Sequence, residues 1–464
     1  MTLLTALAAL GISPGEVDAA IEASKAAPRN RALAREAGDA LRQAGRYEEA
    51  IVFYQKSDNA GNLGAAEAAF YLYDFDRAQE FLDRYMAKRT KAEAAKDMSF
   101  HFRPDGEPSD WAEYLGDRIS MARSMLDRVE QVEIIDSVSV DAEQFFKAIR
   151  LARSAGRVVG DETVRSVVTD AMLDSLELSD IAGTAFVSEN GDDLVWAASD
   201  TDGKTTLYES VRLADGSWDN PRELFGYESI FGNEDGAVVS APFLMADGVT
   251  LYFAADGNES LGGLDIFISR RDGEKFLQPS NLGMPFNSPF NDYLYAIDEE
   301  TGAGWWVTDR NSAPGMVTVY TFVPSEMRVN YPPDTPGLAD FARVADYKAT
   351  AGEADRSDLL RRIRNLDYAR ASASADEFAF ALPDGRVLRR MSDLGSPLAR
   401  EAMKEYLDAR RQVDDLEKRL GEMRKRYAGG DHSHAEEIIA LEDRLETMRA
   451  GLGELKNRVA TALE

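Results

Sequence analysis

The chain has 464 residues, and its 53 Lys and Arg against 82 Asp and Glu give a formal net charge of −29 at pH 7. Such a negative surface repels phosphate backbones, so nucleic acid is not expected as a partner. With no cysteine and only three histidines, disulfides, thiolate metal sites and histidine-rich metal sites are excluded. No segment approaches 18 consecutive apolar residues, so no transmembrane segment is expected.

Residues 1–130 form the first predicted domain, which is rich in alanine at helical spacing. Its opening stretch, Met1–Leu10, is apolar but lacks the basic flank of a signal peptide, so it is interpreted as a first helix or as the start of an expressed chain. The pair Ser13 and Glu16 predicts a capping box at the start of a helix.

A repeat of small and aromatic residues follows within this domain. The spacing places a small residue where two helices cross and an aromatic residue in the hole beside it, and the pattern recurs 28 residues later. It resembles the tetratricopeptide repeat, with a plain helical bundle as the alternative. The predicted packing residues are Gly38, Tyr47, Ala50, Tyr54, Phe75 and Ala78.

Residues 131–390 form the second predicted domain, in which short β-branched and aromatic runs alternate with turn signals. Leu194–Ala198, Leu251–Ala255 and Gly304–Thr308 read as one strand met three times. Asn190-Gly191 or Asp247-Gly248 precedes two of the copies, as expected for hairpins. Repeats of about 53 to 58 residues with several short strands are typical of propeller blades.

Three blades do not close a propeller, so further strands are expected. The extended segments Val132–Val140 and Glu377–Leu388 are the candidates, because strands from before and after the repeats would fasten a ring. The sequence therefore predicts a small, four- or five-bladed propeller. The prolines at positions 332, 333 and 336 predict a loop and helical insertion near residues 331–375.

The second blade carries a resemblance to a known family. The segments Pro242–Gly257, Gly262–Phe267 and Asn281–Asp292 look like a WD40-like propeller repeat of the TolB type. In envelope proteins of the Bacteroidetes type such blades often follow tetratricopeptide repeats, as the predicted order does here. The resemblance implies a location in the periplasm or on the periplasmic face of the outer membrane. Many relatives end in a peptidoglycan-binding OmpA-like domain; a different ending is predicted here, so direct peptidoglycan anchoring is not expected.

Residues 391–464 form the third predicted domain. Two apolar seams with heptad spacing, which include Leu420 and Leu441, flank a break at Gly429–Asp431. They predict an antiparallel coiled-coil hairpin. The hairpin either projects from the body and allows self-association, or lies against the propeller.

The sequence offers no catalytic set, since it lacks a nucleophile elbow, a phosphate loop and a metalloprotease helix. No enzyme activity, cofactor or metal is expected, and His432 and His434 are interpreted as solvated turn residues. A structural calcium at Asp200–Gly203 is the weak alternative.

Two surfaces are candidates for binding. Trp305 and Trp306 point to opposite faces of one strand, so one of them lies either in a core between blades or against a ligand. The second candidate is the segment around Asn291, Asp292 and Tyr293.

The whole chain is therefore expected to be a multidomain α + all-β protein. The predicted function is a non-enzymatic scaffold or adaptor of the bacterial cell envelope that binds protein partners. The alternative is a propeller module that binds a glycan or a peptide through exposed aromatic residues and blade loops.

Overall fold

The protein combines α-helices with antiparallel β-sheets and divides into two compact units, Met1–Leu366 and Asp367–Glu464. The predicted first segment, Met1–Leu10, lies outside the described residues. The computed structural model describes residues 12–102, 108–201, 205–213, 218–225, 238–257, 259–273, 275–325, 327–352, 354–366, 377–381, 387–390, 394, 396–428 and 434–463.

The first unit opens with a series of helices. The predicted capping box is confirmed, because the Ser13 side chain accepts from the Glu16 amide while the Glu16 carboxylate accepts from the Ser13 amide. The helices are α1 (Pro14–Ala26), α2 (Arg31–Gln43), α3 (Tyr47–Tyr54), α4 (Ala60–Tyr71), α5 (Phe75–Lys88), α6 (Lys91–Phe100) and α7 (Trp111–Leu126). A two-stranded sheet, β1 (His101–Phe102) with β2 (Pro108–Ser109), lies between α6 and α7.

The predicted contact between small and aromatic residues is present among these helices. The ring of Tyr54 lies where a Cβ on Gly38 would approach it to 2.6 Å, and a Cβ on Gly64 would approach it to 2.5 Å. Two glycines on α2 and α4 thus let both helices close on one tyrosine ring. Of the other predicted packing residues, Tyr47 is half-buried, while Ala50, Phe75 and Ala78 are buried.

Three antiparallel sheets follow in the first unit, and the three repeated strands are confirmed as their members β6, β10 and β15. Gly191 and Gly248 have φ near +70° in the predicted hairpin turns. In spatial order, the first sheet consists of β4 (Arg157–Val159), β5 (Leu178–Val187), β6 (Asp193–Asp200), β7 (Thr205–Val211) and β8 (Arg222–Glu223). The second sheet consists of β12 (Lys275–Phe276), β11 (Asp265–Asp272), β10 (Thr250–Asp256) and β9 (Val238–Leu244), and β13 (Ser280–Asn281) also pairs with β11. The third sheet consists of β14 (Asp292–Asp298), β15 (Ala303–Thr308), β16 (Met316–Val323) and β3 (Glu133–Asp141).

The three sheets follow one another in space. Strand β9 contacts β5, β6 and β7 of the first sheet, and β14 contacts β9 and β10 of the second. One apolar core runs through all three and includes Phe186, Phe253 and Trp306. Strand β3 precedes the repeats in sequence and pairs with β16, the last strand of the third sheet.

The described part of the first unit thus supplies three sheets of four or five strands, where the sequence predicted four or five blades. The segment expected to add a further blade forms strands β17 (Glu377–Ala381) and β18 (Val387–Arg390), which pair with each other in the second unit. Short helices complete the first unit: α8 (Asp161–Arg165), α9 (Asp170–Ser175), α10 (Leu338–Ala342) and α11 (Ser357–Arg364), with single 3-10 turns at Phe145–Ala148, Arg153–Ala155 and Tyr347–Thr350.

The second unit contains two long helices, α12 (Pro397–Ala428) and α13 (Ala435–Thr461), which pack side by side. Arg419 pairs with Glu437 at 2.7 Å and Arg458 pairs with Glu405 at 2.8 Å. The residue number of the paired side chain rises on α13 as it falls on α12, so the two helices run antiparallel. The predicted break at Gly429–Asp431 lies outside the described residues. The apolar residues buried in one cluster of these helices are Val413, Leu420, Ile438, Leu441 and Leu445.

Candidate functional site: an aromatic seam between helices and sheets

Five half-buried aromatic side chains gather in the first unit at the junction between the helices and the sheets. We call them the aromatic seam. None is fully exposed and none is fully buried, so each ring packs against the protein while part of it stays accessible. The members are Tyr47, Tyr71, Trp111, Tyr114 and Phe290.

One half of the aromatic seam joins two helices to a loop before β14. The rings of Tyr47 and Tyr71 stack at 5.1 Å between centroids, with 16° between their planes. The ring of Phe290 tilts over both, at 5.1 Å from Tyr71 and 6.4 Å from Tyr47. These distances lie in the range of favourable aromatic pairs.

The other half lies on α7. Trp111 and Tyr114 are three residues apart on one helix face, and their rings stack at 5.5 Å. One turn further on, the guanidinium of Arg118 lies 4.3 Å from the centroid of the Tyr114 ring and donates a 2.6 Å hydrogen bond to the Tyr114 hydroxyl. This cation–π contact fixes the orientation of the ring.

A buried charge pair supports the aromatic seam. Glu67 on α4 is 8% exposed, accepts a short hydrogen bond from the Trp111 indole N–H, and pairs with Arg42 at 2.7 Å. Burial raises the pKa of Glu67, and the Arg42 charge opposes that rise. Arg42 also donates to the Tyr54 hydroxyl at 3.2 Å, which in turn donates to Asp39 at 2.8 Å. This ion pair and these hydrogen bonds therefore hold in place the side chains that pack next to Trp111.

The sheet side of the aromatic seam is also held by charged groups. The Asp309 carboxylate accepts from the Asn291 backbone N–H at 2.8 Å, from the Asn291 side-chain amide at 2.7 Å and from the Tyr293 hydroxyl at 3.0 Å. Asp292 pairs with Arg310 at 2.6 Å, and both side chains are at most 1% exposed. These contacts fix the backbone on the carboxyl side of Phe290.

This geometry corrects the sequence prediction for Asn291, Asp292 and Tyr293. Asp292 and Tyr293 are buried and Asn291 is half-buried, and all three bond inward. They position the loop that presents Phe290, so they do not form a binding surface themselves.

The expectation that Trp305 or Trp306 faces a ligand is wrong. Their side chains are 1% and 0% exposed. Strand β15 lies in the middle of its sheet, both faces of the strand are covered, and every residue in it is buried. The ring of Trp306 packs at 4.7 Å from Tyr320 and 5.2 Å from Phe286. Both tryptophans therefore belong to the core.

The described part of the chain brings together no group of three Asp, Glu or His residues that could hold a metal ion. His434 is exposed and lies 3.2 Å from Glu437. His432 and half of the predicted calcium loop, Asp202 and Gly203, lie outside the described residues. Across the described helices, none is long and apolar enough to cross a membrane.

Sequence reasoning missed most of the aromatic seam. The tetratricopeptide-like spacing predicted Tyr47 as a packing residue, and the candidate binding segment included Asn291, which follows Phe290 in sequence. Tyr71, Trp111 and Tyr114 lie on helices for which the sequence indicated only helical spacing. Comparisons with protein-family models, with curated proteins and with solved structures find no match to this chain.

Proposed function

We propose that the chain is a non-catalytic scaffold that holds a protein partner along the aromatic seam. The observation that carries this proposal is the gathering of five half-buried rings from three helices and one loop over a buried Arg42–Glu67 pair. Tyrosine and tryptophan supply large contact areas at little cost in conformational entropy, and they are enriched where proteins bind one another.

The fixed positions of the rings support this function. Phe290 reaches the helices from the sheets, while Arg118 reaches from α7 to the carbonyl oxygen of Gly257 at 2.9 Å. The helices and the sheets are thereby joined on both sides of the aromatic seam. A surface whose rings are already ordered loses little entropy when a partner binds.

The proposal also covers how the helices and sheets are interpreted. We interpret the helices as tetratricopeptide-like repeats and the three sheets as blades of a small propeller, in which β3 fastens the last blade to the chain before the first. The antiparallel helices α12 and α13 are interpreted as a coiled coil that allows self-association. The resemblance to TolB-type envelope proteins supports a periplasmic location.

The test is a crosslinked pull-down from the envelope fraction of the native host with the full chain and two variants. Trp111→Ala removes a ring of the aromatic seam, whereas Trp218→Ala removes the other half-buried tryptophan, which bridges to Arg212 between β7 and β8. Thermal unfolding checks that both variants are folded. We expect the same protein partner to be captured by the wild type and by Trp218→Ala, and to be lost with Trp111→Ala.

A second function, glycan binding, is favoured by one feature. Trp111 presents part of an indole face next to the buried carboxylate of Glu67, and aromatic faces suit sugars. Retention of the wild type on cell-wall polysaccharide, abolished by Trp111→Ala and without a protein partner, would support this function and contradict the scaffold. Equal capture of partners by the wild type and Trp111→Ala would contradict both.

A further inference from the structure

Strand β3 is the long outer edge of the third sheet. It has nine residues, whereas the described edge strands β4, β8, β12 and β13 of the other two sheets have two or three residues each. The remaining edge strand of those sheets, β9, has seven residues, but it contacts strands of both neighbouring sheets. Shortness is one way in which proteins prevent another chain from pairing with a sheet edge. Strand β3 is too long to be protected in this way.

The directions of the backbone groups on β3 follow from two hydrogen bonds. The Ala142 N–H donates to the Gly315 carbonyl at 3.0 Å, so it points toward β16. Alternate residues of an antiparallel strand point the same way, so the groups of Ser137, Ser139 and Asp141 point away from β16. The Ser137 N–H agrees, since it bonds to the Asp136 carboxylate at 2.9 Å.

The protein covers only the first part of this edge. The Ile134 N–H donates to the Thr350 hydroxyl at 3.1 Å, and Glu133 forms a two-pronged pair with Arg356 at 2.6 and 2.8 Å. The described residues place no strand against Ser137–Asp141 on that side. Val138 there is 47% exposed, and the stretch contains no lysine, arginine or proline that would discourage pairing.

We propose that Ser137–Asp141 receives an extended segment of a protein partner as an added strand, and that this segment carries lysine or arginine beside β-branched residues. Backbone hydrogen bonds to Ser139 supply the pairing, and Val138 supplies an apolar contact. The charges select the partner, because Asp141 ends this stretch, Asp136 and Glu143 lie next to it, and the chain is strongly acidic. A second copy of the chain would bring the same carboxylates together.

The probe is a synthetic peptide of sequence KVTVTVK, compared with EVTVTVE, which keeps the strand-forming residues and reverses the charge. Binding to the full chain is measured by fluorescence anisotropy, and the protected amides are located by hydrogen exchange. Ser139→Pro removes an N–H that points away from β16, so the pairing of β3 with β16 is kept. Val138→Lys adds a charge to the edge, and Val249→Lys is the control at a similarly exposed valine in the turn between β9 and β10.

We expect KVTVTVK to bind and to protect the amides of Ser139 and Asp141. Each edge variant should weaken it by about tenfold or more, while Val249→Lys leaves it unchanged. Equal binding of EVTVTVE, or unchanged binding to folded Val138→Lys, would overturn the proposal. A dimer in sedimentation that Val138→Lys dissociates would also overturn it, since the edge would then be occupied by a second copy. These results do not depend on Trp111, so they are separate from the test of the aromatic seam.

Discussion

The guanidinium of Arg118, on the last helix before the sheets, donates a 2.9 Å hydrogen bond to the carbonyl oxygen of Gly257, directly after strand β10. Arg118 is 4% exposed, so the contact is shielded from water. Its charge also lowers the pKa of the neighbouring Asp256 carboxyl, against the larger effect of burial. One side chain therefore orders Tyr114 and joins the helices to the second sheet.

Replacing Arg118 with methionine should destabilise the first unit. Methionine keeps much of the aliphatic stem but leaves the Gly257 carbonyl without its donor, and we expect a loss of about 2–3 kcal/mol in the free energy of unfolding. Urea unfolding of the full chain measures this. The control is Arg84→Met, which breaks an exposed pair with Glu80 and should cost less than about 0.5 kcal/mol. Equal losses would contradict the proposed junction.

Asp256 should make stability depend on pH. Its pKa is 3.8 in the reference state, and burial raises it to about 6 in the folded protein. The folded chain therefore binds this proton more tightly than the unfolded chain does. The resulting stabilisation is complete below pH 3.8 and is lost as the pH rises through 6.

The variant Asp256→Asn should remove that dependence. Relative to the wild type, its free energy of unfolding should rise by about 2 kcal/mol between pH 4 and pH 7.5. Urea unfolding at a series of pH values gives this difference, with Asp141→Asn as a control for the same change of charge at an exposed site. A difference that stays flat, or that falls with rising pH, would contradict the burial of Asp256.

The packing of Tyr54 between two helices predicts a contrast among glycines. Gly38→Ala and Gly64→Ala each place a Cβ within about 2.6 Å of the Tyr54 ring, and each should cost about 1–3 kcal/mol through overpacking. Gly15→Ala in α1 has no atom within 4 Å of the new Cβ. It should instead stabilise the protein by up to about 1 kcal/mol. Thermal unfolding distinguishes the three variants, and a destabilised Gly15→Ala beside two unaffected variants would contradict this packing.

Tryptophan fluorescence tests the burial of Trp305 and Trp306, which the sequence offered as candidates for a ligand surface. Of the five tryptophans, Trp196, Trp305 and Trp306 are at most 1% exposed, so acrylamide should quench mainly Trp111 and Trp218. A variant with phenylalanine at positions 111 and 218 should therefore be quenched much less than the wild type. Quenching as strong as in the wild type would show that Trp305 or Trp306 is accessible.

Local sequence patterns predicted the elements whose causes are local. The capping box at Ser13, the hairpin turns at Gly191 and Gly248, and the antiparallel pairing of α12 with α13 each follow from residues close in sequence or from a strict apolar spacing. Strands β6, β10 and β15 were found because each is a short run of apolar residues, most of them buried, between turn residues.

The aromatic seam could not be predicted in the same way. Phe290 meets Tyr47 and Tyr71 across more than 200 residues of chain, and no local spacing records that contact. The sequence left the exposure of Trp305 and Trp306 open for a related reason. A strand pattern tells which side chains alternate, but only the neighbouring sheets decide whether both faces are covered.

Site-specific photocrosslinking shows whether a protein partner lies at the aromatic seam. Benzoylphenylalanine placed at position 114 puts the reactive group in the aromatic seam, and the same residue at position 218 puts it in the connection between β7 and β8. After irradiation in the envelope of the native host, we expect a discrete protein adduct from position 114 and none of that mass from position 218. Folded protein that gives no adduct at position 114, or the same adduct at both positions, would contradict a partner held at the aromatic seam.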